Sequence, residues 1–183
     1  NQLLALARAE SSGNVTARQP CDLAALTTEV VQDAISQTLD RHLDLGYDGA
    51  SPGSRGVTIQ GSPTLLKEMI RNLLDNAMNY TPSSPEKPGV VTGRVLADPF
   101  GRVLLVQVED SGPGIAEGER ELVFEPFYRT LGTDVDGSGL GLPIVKEIAR
   151  QHGATIAIED AHPGQNPPGT RFTLRFMTDP ADD

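Results

Sequence analysis

The chain has 183 residues, enough for one domain with a short attachment, and 38% of them are apolar, enough for one core. A formal net charge of −10 and an aromatic content of 4%, without tryptophan, argue against a nucleic-acid surface or an anionic membrane as the partner. The single cysteine, Cys21, excludes an internal disulfide and suits a reducing compartment, and no apolar run approaches the ~18 residues of a membrane span.

Residues 1–10 (NQLLALARAE) carry Leu3, Leu6 and Ala7 at helical spacing, and residues 11–13 end that pattern. So short a helix is not stable alone. It reads as the end of a longer helix packed on something outside the sequence, and the start at Asn1 without Met reads as a fragment. Pro20-Cys21-Asp22 opens the next helix, with Asp22 as N-cap. Its apolar stripe is Leu23, Leu26, Val30, Val31, Ala34, Ile35 and Leu39. Residues 43–48 alternate like a strand, 50–56 form a turn-rich loop and 57–60 a short strand. Ser62 caps a helix that has Pro63 in its first turn and runs to about Asn79.

Residues 81–88 (TPSSPEKP) are a loop. Residues 90–97 and 103–109 read as a hairpin turning at 98–101. Residues 110–137 are mostly loop, with a short turn near 117–123. A helix over 138–152 is stopped by Gly153. Strands at 155–159 and 171–177 precede a polar tail. The order predicts an α+β two-layer α/β sandwich, with a mixed sheet of about five strands covered on one face by three helices.

The helix from Ser62 is the most informative element. At about 100° per residue, Glu68, Asn72, Asn76 and Asn79 fall within roughly 80° of one another. Leu66, Met69, Ile70, Leu73, Leu74 and Ala77 lie opposite. A plain solvated face would favour Lys or Glu over asparagine, which is a poor helix former. Asparagine is a hard oxygen donor for Mg²⁺ and an amide donor to phosphate.

Three further segments carry chemistry. Asp110-Ser111-Gly112-Pro113-Gly114-Ile115 follows a strand, so its carboxylate can accept from the exocyclic amine of adenine, where guanine offers an acceptor instead. An ordinary Asp-Gly turn has the same composition. Gly137-Ser138-Gly139-Leu140-Gly141-Leu142 opens a helix whose N-terminal amides suit phosphate; a flexible cap reads the same way. Phe124-Glu125-Pro126-Phe127-Tyr128-Arg129 sets an aromatic cluster in a polar region. Phe124 and Phe127 read as a satellite core, Arg129 as a residue able to reach a terminal phosphate, and residues 130–136 as a lid. His42, His152 and His162 read as structural, and no Cys/His cluster suggests zinc.

In order and spacing together, these segments resemble the catalytic and ATP-binding domain of sensor histidine kinases, within the gyrase, chaperone and mismatch-repair ATPase superfamily. Residues 68–82 (EMIRNLLDNAMNYTP) match the family's N box, 110–114 its G1 box, 124–129 (FEPFYR) its F box and 137–142 (GSGLGL) its G2 box. The resemblance covers about residues 20–177. It implies a Bergerat-type sandwich over 20–178, with 1–13 as the end of a dimerisation helix and linker and 179–183 as a tail.

The resemblance further implies that Asn72 binds Mg²⁺, that Glu68 lies beside that metal, and that Asn76 and Asn79 face phosphate or ribose. Tyr80 lies beside adenine or ribose, and Asp110, Gly112, Gly114, Ile115 and Phe127 belong to the nucleotide pocket. Gly137, Gly139, Leu140, Gly141 and Leu142 form the hinge and phosphate cradle, and Arg129 is a catalytic cation. Asn79 stands where the family often has Lys or Arg. No histidine here is followed by an acid, as the family's phosphoacceptor is.

The implied activity is phosphoryl transfer from Mg-ATP to a histidine on a dimerisation domain outside this chain, with relay to a response regulator. The implied setting is the cytoplasmic part of a membrane-anchored, homodimeric kinase, the fragment itself being monomeric. An anti-sigma-type serine kinase and an ATP-sensing module without transfer are the alternatives.

Overall fold

A computed structural model describes residues 18–128 and 140–178. The chain enters through a strand, β1 (Gln19–Asp22), followed by helix α1 (Leu23–Thr38) and strands β2 (Asp44–Gly49) and β3 (Thr58–Gly61). Helix α2 (Pro63–Tyr80) leads to the hairpin of β4 (Val90–Ala97) and β5 (Val103–Asp110). Two single 3₁₀ turns, Glu117–Glu119 and Leu122–Phe124, occupy the predicted turn region. Helix α3 (Gly141–Gln151) and strands β6 (Thr155–Glu159) and β7 (Thr170–Met177) complete the described fold.

The expected sandwich is present. Five strands form one mixed sheet in the order β2-β4-β5-β7-β6, parallel only between β2 and β4. Val91, Val95, Leu104, Val106, Val108, Phe172, Leu174 and Phe176 point from this sheet into the core. Leu66, Met69, Ile70 and Leu73 of α2 and Ile144, Val145 and Ile148 of α3 meet them from one side. Each such side chain contributes ~1.5–3 kcal/mol by leaving water. Helix α1 lies over Gly93 of β4, where an added Cβ would come within 3.3 Å of Val31 and Thr27.

Two expectations are corrected. Residues 19–22 are not merely a helix opener: they pair antiparallel with β3 as a separate two-stranded ribbon, Cys21 opposite Ile59. Asp22 still caps α1, accepting from Ala25 N at 2.9 Å, while its other oxygen accepts from Gly53 N at 2.6 Å. The last helix starts at Gly141 rather than Ser138, with Leu140 as its N-cap.

Polar ties hold the helix ends. Ser62 accepts from Leu65 N, and its own N–H donates at 3.1 Å to Nε2 of His152, past the end of α3. Nδ1 of the same ring lies 2.8 Å from the Ile148 carbonyl, so the neutral ring donates there and accepts from Ser62. Burial holds His152 below the usual histidine range, helped by the charge of Arg18, against the bond to Ile148. Arg18 itself donates to the Gln151 carbonyl at 2.7 Å.

The outer face of the sheet carries a row of charges across its middle, with Val90, Leu96 and Met177 exposed near the strand ends. Asp48, Arg94, Glu109, Arg171 and Glu159 form an alternating chain of ion pairs across all five strands, at 3.4, 2.8, 3.0 and 3.6 Å.

Candidate functional site

The site assembles where the C-terminal part of α2, the end of β5 and the start of α3 converge. On α2 the apolar set predicted from the sequence is buried, and so is Asn72, at 4% exposure. Its Nδ2 donates to the Glu68 carbonyl at 2.9 Å and lies 3.4 Å from Glu68 Oε1. The amide is therefore turned with Oδ1 toward α3, 3.5 Å from where a Cβ on Gly141 would stand. Glu68 and Asn76 are half-buried on the same face, and Asn79 is exposed.

Asp110 ends β5 and is 5% exposed. Both of its backbone bonds fall on one oxygen: Oδ1 accepts from Gly112 N at 2.8 Å and from Thr170 N at 3.3 Å. Oδ2 has no hydrogen-bond partner among the described residues, and it is not sealed from solvent. Burial raises the carboxyl to about 6, against the two backbone bonds and with the help of the Glu109 charge. The arrangement is a fixed carboxylate with one oxygen open to accept.

Gly112 makes that arrangement possible. A Cβ there would stand 2.9 Å from both Asp110 Oδ1 and the Tyr80 carbonyl, so the end of α2 and the Asp110 loop touch at a point with no room for a side chain. Gly169, at φ +69°, packs likewise on the Asp110 carbonyl, where a Cβ would come within 2.3 Å. Gly114 has φ +83° and lies against Pro168. Ile115 packs on the core, and its carbonyl accepts from Arg120 Nε at 3.0 Å. Arg120 also reaches Asp160 at 3.1 Å and so pins this loop to the strand edge at β6.

Leu140 and Leu142 are buried, which anchors the start of α3. Among the described residues no side chain caps that helix. Its first turn thus presents main-chain N–H groups beside Asn72. Phe124 packs on the core with Lys146 Nζ 5.5 Å from its ring centroid. Phe127 does not share that core, and the satellite-core expectation is corrected for it: it is 66% exposed, with a left-handed backbone at φ +64°. Tyr128, next after Phe127, packs on the core and donates to Glu119 Oε1 at 2.8 Å.

The sequence-predicted residues Glu68, Asn72, Asn76, Tyr80, Asp110, Gly112, Gly114, Ile115, Leu140, Gly141 and Leu142 thus lie on three adjoining segments. Arg129, Gly137, Gly139 and the lid at 130–136 lie outside the described residues, as do residues 1–13 and 179–183. Thr170, Gly169 and Arg120 support the Asp110 loop without any local signal in the sequence. Each comes from, or reaches to, a strand brought alongside only by the fold.

The donor set at Asn72 fits a hard divalent cation that takes most of its ligands elsewhere. It offers one amide oxygen with a carboxylate nearby, and no cluster of three or more His, Cys, Asp or Glu able to hold a metal exists among the described residues.

Comparison with known proteins agrees with this geometry. Residues 61–180 match the family model described as histidine kinase-, DNA gyrase B-, and HSP90-like ATPase. The signal transduction histidine-protein kinase/phosphatase MprB of Mycobacterium sp. (strain KMS) is 40% identical over 173 residues, 93% of this chain and 30% of that protein. MprB of Mycobacterium leprae (strain TN) is 40% identical over 162 residues, 88% of this chain and 29% of that protein. The chain therefore spans less than a third of the length of these relatives.

Among solved structures, a mycobacterial sensor histidine kinase MprB superposes with a TM-score of 0.72 at 29% identity, covering 89% of this chain and 99% of that one. Full-length ShkA in complex with AMPPNP superposes at 0.77 and 26% identity, covering 99% of this chain and 36% of that one.

Proposed function

This chain belongs to the histidine kinase-, DNA gyrase B- and HSP90-like ATPase family, as the catalytic ATP-binding domain of a sensor histidine kinase, and on that premise we propose that it transfers the γ-phosphoryl group of Mg-ATP to a histidine on a separate dimerisation domain, for relay to an aspartate of a response regulator. The observation that carries the nucleotide part is Asp110: Oδ1 is locked by two main-chain donors and Oδ2 is left open. An open acceptor on a rigid strand end accepts from the adenine amine and rejects guanine, which presents an acceptor there.

From Asp110 the nucleotide runs past Tyr80 and Asn76 toward Asn72 and the uncapped start of α3, where the phosphates meet main-chain N–H groups. Asn72 Oδ1 would hold Mg²⁺, with Glu68 beside it; when bound the ion would neutralise phosphate charge and orient the γ-phosphoryl group. Glu68 tethers Asn72 and orients the incoming nucleophile. Gly141 leaves space beside Asn72, and Leu140 and Leu142 fix the cradle to the core. Gly137 and Gly139 complete the hinge, Arg129 adds a cation at the terminal phosphate, and Phe127 borders the pocket mouth. The protein's contribution is placement and charge neutralisation, as phosphoryl transfer requires.

The exposed Phe127 and Leu122 offer apolar surface to the dimerisation domain. No described helix is long and apolar enough to cross a membrane. We place the domain on the cytoplasmic side of a membrane-anchored, homodimeric kinase.

Incubation of the purified chain with γ-labelled ATP, alone and with a separately produced dimerisation domain from an MprB relative, tests the transfer. Label should appear on the added domain, be lost on replacing its acceptor histidine, and not be retained on this chain. Label on a serine of a protein substrate would favour an anti-sigma-type serine kinase. Binding without transfer to any acceptor would favour a nucleotide sensor.

A further inference from the structure

The nucleotide-facing side of α2 carries a carboxylate and three amides but no positive charge. The helix's own cations lie on its next flank and are engaged with α1: Lys67 with Glu29 at 2.6 Å and Asp33 at 3.8 Å, Arg71 with Asp33 at 4.0 Å. A triphosphate reaching Asn72 and Asn76 would meet a protein of net charge −10 with no cation on that face.

One guanidinium is brought to this face from elsewhere. Arg41 lies in the turn after α1, and its Nη1 donates to Asn79 Oδ1 at 2.9 Å. Asn79 follows Asn76 by one helical step on the same face. No described carboxylate lies within 4.0 Å of Arg41. The half-buried Asp75, one turn before Asn79, feels both Arg71 and Arg41 at longer range. Arg41 and Asn79 also border an open groove of about 490 Å³ between α1 and α2, so the guanidinium has room to swing about its tether. An exposed bond between two flexible side chains contributes little to folding. Four of the five guanidinium N–H donors remain for a ligand.

We propose that Arg41, presented by Asn79, is a cation that this site brings to the α2 face to neutralise the nucleotide phosphates. The inference rests on the nucleotide reading above. It assigns to a residue outside α2 a charge that α2 does not carry on this face. Asn79 serves as the positioning residue: by accepting at Oδ1 it holds the guanidinium at the C-terminal end of the row of asparagines.

The test compares the unmodified chain with Arg41→Gln, Arg41→Lys, and Arg41→Gln combined with Asn79→Lys. Each is titrated with a non-hydrolysable ATP analogue plus Mg²⁺, and separately with adenosine. Loss of one charge-assisted contact should weaken the analogue roughly tenfold in Arg41→Gln. Adenosine affinity and thermal midpoint should be unchanged. Arg41→Lys should fall between, and the double variant should recover most of the lost affinity and its salt dependence. Analogue affinity in Arg41→Gln equal to that of the unmodified chain would overturn the assignment, and so would an equal loss for adenosine. An unmodified chain that binds neither ligand would remove the nucleotide reading together with this one. Binding that is intact but indifferent to Arg41 would remove this one alone.

Discussion

Glu109 and Asp110 are consecutive residues of β5 whose carboxyl groups stand on opposite faces of one sheet and are driven in opposite directions. Burial works to raise Glu109, but hydrogen bonds and charge from Arg94 and Arg171 hold it below the ordinary carboxylate range. Asp110 meets no cation among the described residues. Burial dominates and lifts it to about 6. One peptide unit thus separates a carboxylate fixed as an anion from one that titrates near neutrality.

Asp110→Asn separates charge from shape. The folded state binds a proton at Asp110 more tightly than the unfolded chain, whose ordinary value is 3.8. The stability contributed by this group is therefore fully present below about 3.8 and lost as pH rises through about 6. At pH 7.5 the buried anion costs on the order of 2–3 kcal/mol. Asparagine keeps Oδ1 for Gly112 and Thr170 but places an NH₂ where Oδ2 was. The expected outcome is a higher melting temperature at pH 7.5, a gain that vanishes near pH 4, and loss of ATP-analogue binding. Calorimetry of melting and of titration checks all three, and a lower midpoint at pH 7.5 would show that the anion is favourable there.

His152 slopes the opposite way. Its folded-state value is depressed below 6.5, so its contribution is present above 6.5 and lost as pH falls below it. Protonation places an N–H at Nε2 against the Ser62 N–H that it now accepts. His152→Gln should cost roughly 1 kcal/mol at pH 7.5. It should also flatten the fall in stability as pH drops below 6.5. Asp110 acts oppositely across part of that window, so the comparison is cleanest in the Asp110→Asn background, by denaturant midpoints at each pH.

Gly112→Ala would drive a methyl group to 2.9 Å from both Asp110 Oδ1 and the Tyr80 carbonyl. The loop must move away from α2, at a cost of about 1–3 kcal/mol, and analogue affinity should fall with it. Gly118→Ala is the control, since nothing lies within 4 Å of its Cβ position. It should stay within about 0.5 kcal/mol. Equal effects from the two would mean that the contact at Gly112 is unimportant.

Glu109→Gln leaves Arg94 and Arg171 facing an uncharged amide in the middle of the sheet. With the Glu109 side chain 10% exposed and the arginines 20% and 27%, the pairs are only partly screened. A loss of about 1–3 kcal/mol is expected. Removing that charge should also lower the Asp110 titration, because Glu109 helps to raise it. Carboxyl-carbon NMR across pH 4–8 reads this shift, and an unmoved Asp110 would mean that the two groups are uncoupled.

Much of the fold was legible because its signals are local. Ser62-Pro63 marked the start of α2, the turn at 98–101 marked the hairpin of β4 and β5, and the asparagine row marked the polar face. Strand β1 was not legible. Four residues including a proline declare themselves a strand only through Thr58–Gly61, which arrive after the whole of α1 and β2. Phe127 was misread because composition puts an aromatic inside, whereas its backbone turns left-handed and carries the ring outward. The Arg41–Asn79 contact spans 38 residues and joins elements adjacent only in space, and Thr170 reaches Asp110 across 60. A segment's own polar and apolar pattern could be read from its residues; contacts made between segments could not.

The ion-pair chain from Asp48 to Glu159 also governs how the domain can be approached. A body laid flat on the outer sheet would have to strip water from five charged groups whose partners are already satisfied. It would gain no new pairing in return, a poor exchange for any apolar surface. Across its middle the broad side of the sheet is thus self-sealed without a covering layer, and apolar surface is left only toward the strand ends, at Val90, Leu96 and Met177.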